Sequence, residues 1–300
     1  MLKKGCVSAM AMKLGIHLIL WQNELRENLL PFMRRAADAG YGGVELSLAR
    51  FEALPVRKIR EEATALGLEV TCTLSLPGEF DLAADDSVIA GKAVARFKKA
   101  IDIACELGSP IVAGPWYGAL GVWAADPAER EARRNRSASR VAEIGQYAEG
   151  HGVVLALEPL NRYESDLVNT VDQAIQYIRL VSDSPIGILL DTFHAAIEEN
   201  SLPTAIQQCG RLLRHLHLAE NHRGFPGTGS QPWREIFNAL EDQNYQGRCV
   251  VEVIGRSASP IANQFHIWSS DNVQVDEAAR RSYEYLQSLI KPLRGNGEAT

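Results

Sequence analysis

From residue 13 onwards, short apolar runs alternate along the chain with longer segments in which apolar residues recur every three or four positions. Short aliphatic and β-branched runs bounded by glycine or proline are typical of strands buried on both faces. The longer periodic segments are typical of amphipathic helices. The predicted strands cover residues 13–17, 43–47, 68–75, 111–115, 153–158, 186–191, 213–218 and 249–253. The predicted helices cover residues 26–39, 56–66, 86–107, 127–149, 170–181, 203–210, 233–240 and 275–289.

This alternation predicts an α/β protein whose eight strand-then-helix units close into a (β/α)8 TIM barrel. Glycines follow five of the predicted helices as expected left-handed caps: Gly40, Gly67, Gly108, Gly150 and Gly210. A doubly wound open sheet is the alternative, but no G-x-G-x-x-G sequence follows the first strand. We expect one barrel domain over residues 13–292, with a disordered leader at residues 1–12 and a tail at residues 293–300.

Composition narrows the range of partners. The net charge of −6 leaves no basic surplus to neutralise phosphates, which argues against nucleic acid and anionic membrane as ligands. No apolar run approaches the roughly 20 residues of a membrane span. The five cysteines are scattered and form no C-x-x-C pair, which is typical of thiols in a reducing compartment. We therefore expect a cytoplasmic protein.

Four polar residues stand on consecutive predicted strands, close to where each strand ends. Glu158 ends the fifth strand, Asp191 ends the sixth, the seventh contains His217 and the eighth contains Glu252. Each alone is also explained as a helix cap or as a partner of an arginine. Together, at one mouth of a barrel, they would repel one another without a cation. Their oxygen donors and single nitrogen donor suit Mn2+, Mg2+ or Co2+. His215 shares the strand parity of His217 but is expected to pack one layer deeper.

The motifs around these residues identify a resemblance that covers nearly the whole chain after the leader. The stretches E-P-L-N-R-Y-E, L-D-T-F-H-x-x-I-E-E and H-L-x-E-N-H-R-G-F-x-G-T-G, with the glutamate of the eighth strand, resemble the ketose 3-epimerases of the xylose isomerase-like barrel superfamily. The resemblance implies that one divalent ion, typically Mn2+, is bound by Glu158, Asp191, His217 and Glu252. It implies a sugar substrate and a homodimer or homotetramer.

Residues around the expected metal are candidates for substrate binding. By the resemblance, Glu164, His194 and Arg223 would bind the sugar, and Cys72 would lie near its tail or serve as a core thiol. The aromatic residues that follow the first and fourth strands are candidates for an apolar wall of the pocket, or for ordinary packing. These are Trp21, Trp116 and Tyr117.

The expected reaction is epimerisation at C3 of a ketose or keto-sugar acid through an enediolate. The metal would polarise the C2 carbonyl and C3 hydroxyl oxygens. Glu158 and Glu252 would flank C3 on opposite faces, one removing the proton and the other returning it.

Two departures from the family pattern, at Ile254 and at residues 267–269, make the sugar itself the least defined part of this expectation. Two alternative activities use the same metal site. One is an aldose–ketose isomerase that resembles hydroxypyruvate or inosose isomerases. The other is a sugar-phosphate epimerase, for which the backbone amides of residues 227–230 would hold the phosphate.

Overall fold

The computed structural model describes residues 12–24, 27–181, 184–254, 259–268 and 273–290. Within these ranges, eight parallel strands pair in chain order and close into a barrel, which confirms the predicted (β/α)8 fold. The strands are β1 (Lys13–His17), β2 (Gly43–Ser47), β3 (Glu69–Thr73), β4 (Ile111–Gly114), β5 (Val154–Leu157), β6 (Ile186–Asp191), β7 (Leu213–Leu218) and β8 (Arg248–Val251). The expected leader, apart from residue 12, and the expected tail lie outside the described residues.

Ten α-helices are described, most of them packed around the outside of the barrel. They are α1 (Leu30–Asp38), α2 (Val56–Leu66), α3 (Ser87–Leu107), α4 (Pro127–Gly150), α5 (Val171–Val181), α6 (Thr192–Glu198), α7 (Leu202–Cys209), α8 (Trp233–Asp242), α9 (Pro260–Gln264) and α10 (Val275–Ile290). No helix in these described ranges is long and apolar enough to cross a membrane.

The helix ends agree with the predicted caps at some glycines and differ at others. Gly67 and Gly108 cap α2 and α3 in the left-handed conformation, with φ of 66° and 77°. The prediction for Gly150 was wrong: α4 continues through it, and the positive φ, 68°, falls at Gly152. Gly210 has φ of 52° but ψ of −132°, which lies outside the left-handed helical region, so it is not the left-handed cap that was expected.

Three helices depart from the prediction: α1 begins late, and neither α6 nor α9 was predicted. The first begins at Leu30, four residues later than predicted, and a proline occupies its first turn, a position that proline favours. Helix α6 was not predicted at all. It is only seven residues long and begins directly after Asp191, whose side chain caps it by accepting from the Phe193 N–H.

Parallel pairing brings all eight carboxyl ends to one mouth of the barrel. Glu158 and Glu252 each lie one residue beyond their strand, not inside it as predicted. Their backbones remain tied to the neighbouring strands, because the Glu158 N–H donates to the Gly114 carbonyl at 3.1 Å and the Glu252 N–H donates to the Leu218 carbonyl at 3.2 Å. Both carboxylates therefore start from rigid backbone.

Gly114 tests whether close backbone packing at the mouth of the barrel contributes to stability. Its φ is 124°, and an added Cβ would lie 2.5 Å from the Leu74 carbonyl oxygen. Gly114→Ala should therefore lower the free energy of unfolding by about 1 to 3 kcal/mol, measured by urea denaturation. Gly91→Ala is the matched control. It lies on an exposed turn of α3 with nothing within 4 Å, and the same change should raise stability by about 0.5 to 1 kcal/mol. Equal effects at both positions would contradict this account.

Candidate metal centre and substrate pocket

The four strand-end residues converge. Glu158, Asp191, His217 and Glu252 each offer one ligand atom, and these atoms all lie within 4.8 Å of one another. Asp191 and His217 are direct partners across β6 and β7, which accounts for their proximity. The side chains of Glu158, Asp191 and His217 are buried, and that of Glu252 is 16% exposed.

The electrostatics of this cluster are unbalanced. Burial raises the pKa of Glu158 well above its ordinary value, and burial together with the Glu252 charge raises the pKa of Asp191 to about 7. Burial opposes the charge of His217, but Glu252 and Glu45 outweigh it and raise the pKa of the imidazole well above its ordinary value. Without a cation, Glu158 and Asp191 therefore hold protons more tightly than they would in water. Burial opposes the charge of Glu252 as well, but His217 outweighs it and lowers the pKa of Glu252 to about 2.

The donor set fits a divalent ion. The Nδ1 atom of His217 is buried, makes no hydrogen bond of acceptable geometry, and lies 3.3 Å from Glu252 Oε2 and 3.9 Å from Glu158 Oε1. Its other nitrogen, Nε2, is 2.6 Å from Glu45 Oε1. A lone pair aimed at carboxylate oxygens is repulsive unless a positive charge lies between them. Three carboxylates and one imidazole nitrogen suit Mn2+, Mg2+ or Co2+.

A cavity of about 560 Å³ opens beside the cluster. Glu158 and Glu252 line it, together with three predicted substrate-binding residues, Glu164, His194 and Arg223. Its apolar wall is formed by Ile19, Leu74, Pro115, Leu120, Leu160 and Phe265. The cavity combines an apolar wall with a few convergent polar groups, which is typical of small-molecule sites.

Arg223 is held firmly at the cavity. Its Nη1 donates to Glu164 Oε1 at 2.7 Å, and its guanidinium lies 4.6 Å from the centre of the Phe193 ring and 4.9 Å from that of Phe265. Its φ of 65° is unusual for a residue with a side chain. Such strain persists only where the surroundings over-determine the conformation.

The loop around Arg223 is fixed from behind by Glu220, which the sequence did not single out. This fully buried carboxylate accepts from the Gly227 N–H at 2.8 Å and from the Trp233 indole N–H at 2.7 Å. The Arg223 N–H in turn donates to the Glu220 carbonyl at 2.8 Å. Glu220 therefore supports the turn that presents Arg223.

His194, which lines the cavity, has a defined tautomer. The Nδ1 atom of His194 accepts from the backbone N–H and the side-chain amide of Asn161, at 3.2 and 2.8 Å, so its Nε2 carries the proton. That Nε2 lies 3.8 Å from Glu158 Oε1 and 3.7 Å from Asp191 Oδ2. Burial lowers the pKa of His194 to about 4, so the ring is a neutral donor at pH 7.

His17 was missed by the sequence interpretation. Its Nδ1 accepts from the Ile19 N–H at 3.0 Å, and its Nε2 lies 3.1 Å from Thr73 Oγ1 and 3.9 Å from Glu252 Oε1. Burial lowers the pKa of His17 as well. The available signal was its position as the last residue of β1, the same signal that identified Asp191.

Two predicted substrate contacts do not reach the cavity. Cys72 is fully buried in the core and pairs across the sheet with Leu46, whereas its neighbour Thr73 lines the cavity, so alternation points the thiol away from the mouth. Burial raises the pKa of Cys72 to about 12. Trp116 is also fully buried, with its ring centre 5.3 Å from that of Phe97. Neither residue lines the cavity, and both have the packing role that was the alternative in the sequence analysis.

The other two aromatics of the expected wall are core residues too. Trp21 is buried and its indole N–H donates to Asp276 Oδ1 at 2.7 Å. Tyr117 is buried and its hydroxyl donates to the Val168 carbonyl at 3.1 Å. They anchor the loops that surround the mouth.

Comparison with known proteins gives a consistent assignment. Residues 33–289 match the model of the xylose isomerase-like TIM barrel family. The chain is 32% identical to the D-psicose 3-epimerase of Enterocloster bolteae, over 89% of this chain and 91% of that protein. It is 31% identical to the L-ribulose 3-epimerase of Mesorhizobium japonicum, over 93% and 99% of the two chains. The crystal structure of a D-psicose 3-epimerase from Clostridium cellulolyticum with D-tagatose has a TM-score of 0.88 at 27% identity, covering 93% of this chain and 99% of that one.

Metal binding should stabilise the fold through these four residues. Mn2+ at 100 times its dissociation constant should add about 2.7 kcal/mol and raise the melting temperature of the metal-free protein. Asp191→Asn should lose this increase, because the amide keeps the cap on α6 through the atom that accepts from Phe193 but loses the anionic ligand. Asp86→Asn, at the cap of α3, is the matched control and should keep the increase. Differential scanning calorimetry measures both. A full Mn2+ response in Asp191→Asn would exclude Asp191 as a ligand.

Proposed function

The chain belongs to the ketose 3-epimerases of the xylose isomerase-like TIM barrel family, and we propose that it interconverts C3 epimers of a neutral, unphosphorylated ketose in a metal-dependent reaction. The observation that carries this proposal is the convergence of Glu158 and Glu252 on one cavity beside Asp191 and His217. Inversion of a carbon by removing a proton from one face and returning one to the other needs a proton acceptor and a proton donor on opposite sides of that carbon.

The metal would be held by Glu158, Asp191, His217 through Nδ1, and Glu252, with Mn2+ as first choice and Mg2+ or Co2+ as alternatives. When bound, a divalent ion supplies Lewis-acid polarisation of the carbonyl and hydroxyl oxygens of the sugar.

The two glutamates approach the cavity from different sides of the barrel. Glu158 follows β5 and Glu252 follows β8, and two strands separate them in the closed barrel. A sugar between them presents one face to each carboxylate. One glutamate then removes the C3 proton and the other delivers a proton to the opposite face, so the configuration at C3 inverts.

The remaining polar groups orient the sugar. His194 offers a neutral Nε2–H donor, Arg223 offers a fixed guanidinium, and Glu164 accepts hydrogen bonds beside it. Because Arg223 is clamped between two rings and a carboxylate, it loses little conformational freedom when a ligand binds.

The charges around the cavity favour a neutral sugar over a keto-acid. Arg223 is the only lysine or arginine among the described residues that line the cavity, and Glu164 already neutralises it at 2.7 Å. Away from the metal ion, a substrate carboxylate would therefore meet no free cationic side chain and several carboxylates. This disfavours the keto-sugar acids.

The expected phosphate site is also disfavoured. Three amides of residues 227–230 are already used within the protein: Gly227 donates to Glu220, Thr228 to the Phe225 carbonyl, and Ser230 to Asn221. The Glu220 carboxylate lies directly against this turn, so an anion there would be repelled.

Solvent-deuterium exchange read by NMR separates epimerisation from aldose–ketose isomerisation, which uses the same site. The Mn2+-loaded protein would be given D-fructose, D-tagatose, L-ribulose, 5-keto-gluconate and a ketose phosphate. We expect deuterium at C3 and a C3 epimer from at least one neutral ketose, and neither from the acid or the phosphate. Label at C1 or C2 with an aldose product would assign an isomerase. Turnover of only the phosphate or the acid would contradict the neutral substrate.

Glu158→Gln and Glu252→Gln should each lower kcat for the preferred ketose by at least about 100-fold, because each removes one proton-transfer group. Bound metal is measured in both variants by elemental analysis, so that loss of the ion is separated from loss of the base. Glu164→Gln is the control that leaves both bases in place, and we expect it to raise KM more than it lowers kcat. Near-normal kcat in either base variant with metal bound would rule out the two-base mechanism.

The wider setting of the enzyme is part of the same proposal. We place it in the cytoplasm, supported by the four cysteines of the described residues, all of which are free thiols. We expect a homodimer or homotetramer, supported by the family resemblance. Light scattering on the purified protein measures the oligomeric state.

A further inference from the structure

A second polar cluster lies inside the barrel, directly behind the candidate metal centre. Glu45, on β2, is fully buried between two histidines of β7. We propose that Glu45 is a positioning residue that sets the tautomer of His217, with His215 as the second partner of the same carboxylate. The proposal rests on the metal site of the proposed function but concerns metal binding and not turnover.

Each oxygen of the Glu45 carboxylate meets one imidazole. Oε1 lies 2.6 Å from His217 Nε2, and Oε2 lies 2.7 Å from His215 Nε2. The two histidines are two residues apart on one strand, so they point to the same interior face, with their ring centres 5.3 Å apart in an edge-to-face arrangement. One carboxylate therefore spans the gap between two layers of the barrel.

This geometry determines where the protons lie. An ionised carboxylate only accepts hydrogen bonds, so both Nε2 atoms must carry hydrogen. A neutral His217 with its proton on Nε2 has its free lone pair on Nδ1, the atom that faces Glu158 and Glu252. The opposite tautomer would direct an N–H at the position of the ion and leave Glu45 without a donor. A carboxylate behind a ligating histidine also increases the basicity of the ligand.

The same three side chains lie close enough to hold a cation of their own, but their hydrogen bonds argue against a second metal. Both Glu45 oxygens already accept a short hydrogen bond from an imidazole. A metal there would have to displace both protons, and His217 would be shared between two ions. The cluster is better explained as a pair of hydrogen bonds that orients His217 as a ligand of one ion.

Glu45→Gln tests the proposal without changing the size of the side chain. The amide accepts from one imidazole only and offers an N–H2 to the other, and it carries no charge. We expect the affinity for Mn2+ to fall by about 10- to 100-fold, the range found when partners behind metal ligands are removed. The measurement is calorimetric titration of metal-free protein with Mn2+.

Glu220→Gln is the matched control. Glu220 is also fully buried and accepts several N–H donors, but these belong to Gly227, Gln231 and Trp233. This variant should keep the wild-type affinity for Mn2+. Unchanged affinity in Glu45→Gln, or an equal loss in both variants, would overturn the proposal.

A second readout needs no variant of Glu45, so it decides the matter even where Glu45→Gln does not fold. Side-chain 15N NMR of the metal-free wild-type protein, at a pH where His217 is neutral, reports which imidazole nitrogen carries hydrogen, with His215 and His217 assigned by single replacements. We expect hydrogen on Nε2 of both rings. Hydrogen on Nδ1 of His217 would refute the proposal. Because neither measurement uses a sugar, these results stand independently of whether the protein epimerises a ketose.

Discussion

The structure depends on one electrostatic constraint, the burial of three carboxylates and one imidazole within 4.8 Å of one another. Such a group is not stable with all members charged, because burial removes the water that would screen them. Protons or a cation must complete it, and the hydrogen bond from His217 Nε2 to Glu45 leaves Nδ1 suited to a cation. The surrounding barrel serves to hold four side chains in this otherwise unfavourable arrangement.

Strands and loops of the barrel carry different groups of candidate site residues. The candidate metal ligands lie on strands or on the residue directly after a strand, where the sheet fixes the backbone. Two of the candidate sugar-binding residues, Glu164 and Arg223, lie on loops. Arg223 is held by Glu164 and two aromatic rings, and its turn is held by Glu220. This separation allows the substrate to change by loop substitution while the metal chemistry stays constant.

Periodicity and strand ends predicted the barrel and brought together Glu158, Asp191, His217 and Glu252, because polar residues are conspicuous where a buried run stops. Glu45 was not found, since a charged residue in the middle of a strand has no meaning until its two histidine partners are known. Residues 68–75 alternate strictly between apolar and polar, which places Cys72 on the apolar face and Thr73 on the polar one. Cys72 was named as a substrate contact from the family resemblance, and the alternation already favoured a core thiol. Helix α6 was missed because seven residues are too few to show a helical period.

Anomalous diffraction from crystals loaded with Mn2+ would locate the ion itself. We expect one strong peak enclosed by Glu158, Asp191 and Glu252, at about 2.0 to 2.3 Å from His217 Nδ1, with Glu45 still on the opposite nitrogen. A peak on the Nε2 side of His217, in place of its hydrogen bond to Glu45, would contradict it. So would ordered crystals with no peak at the mouth of the barrel.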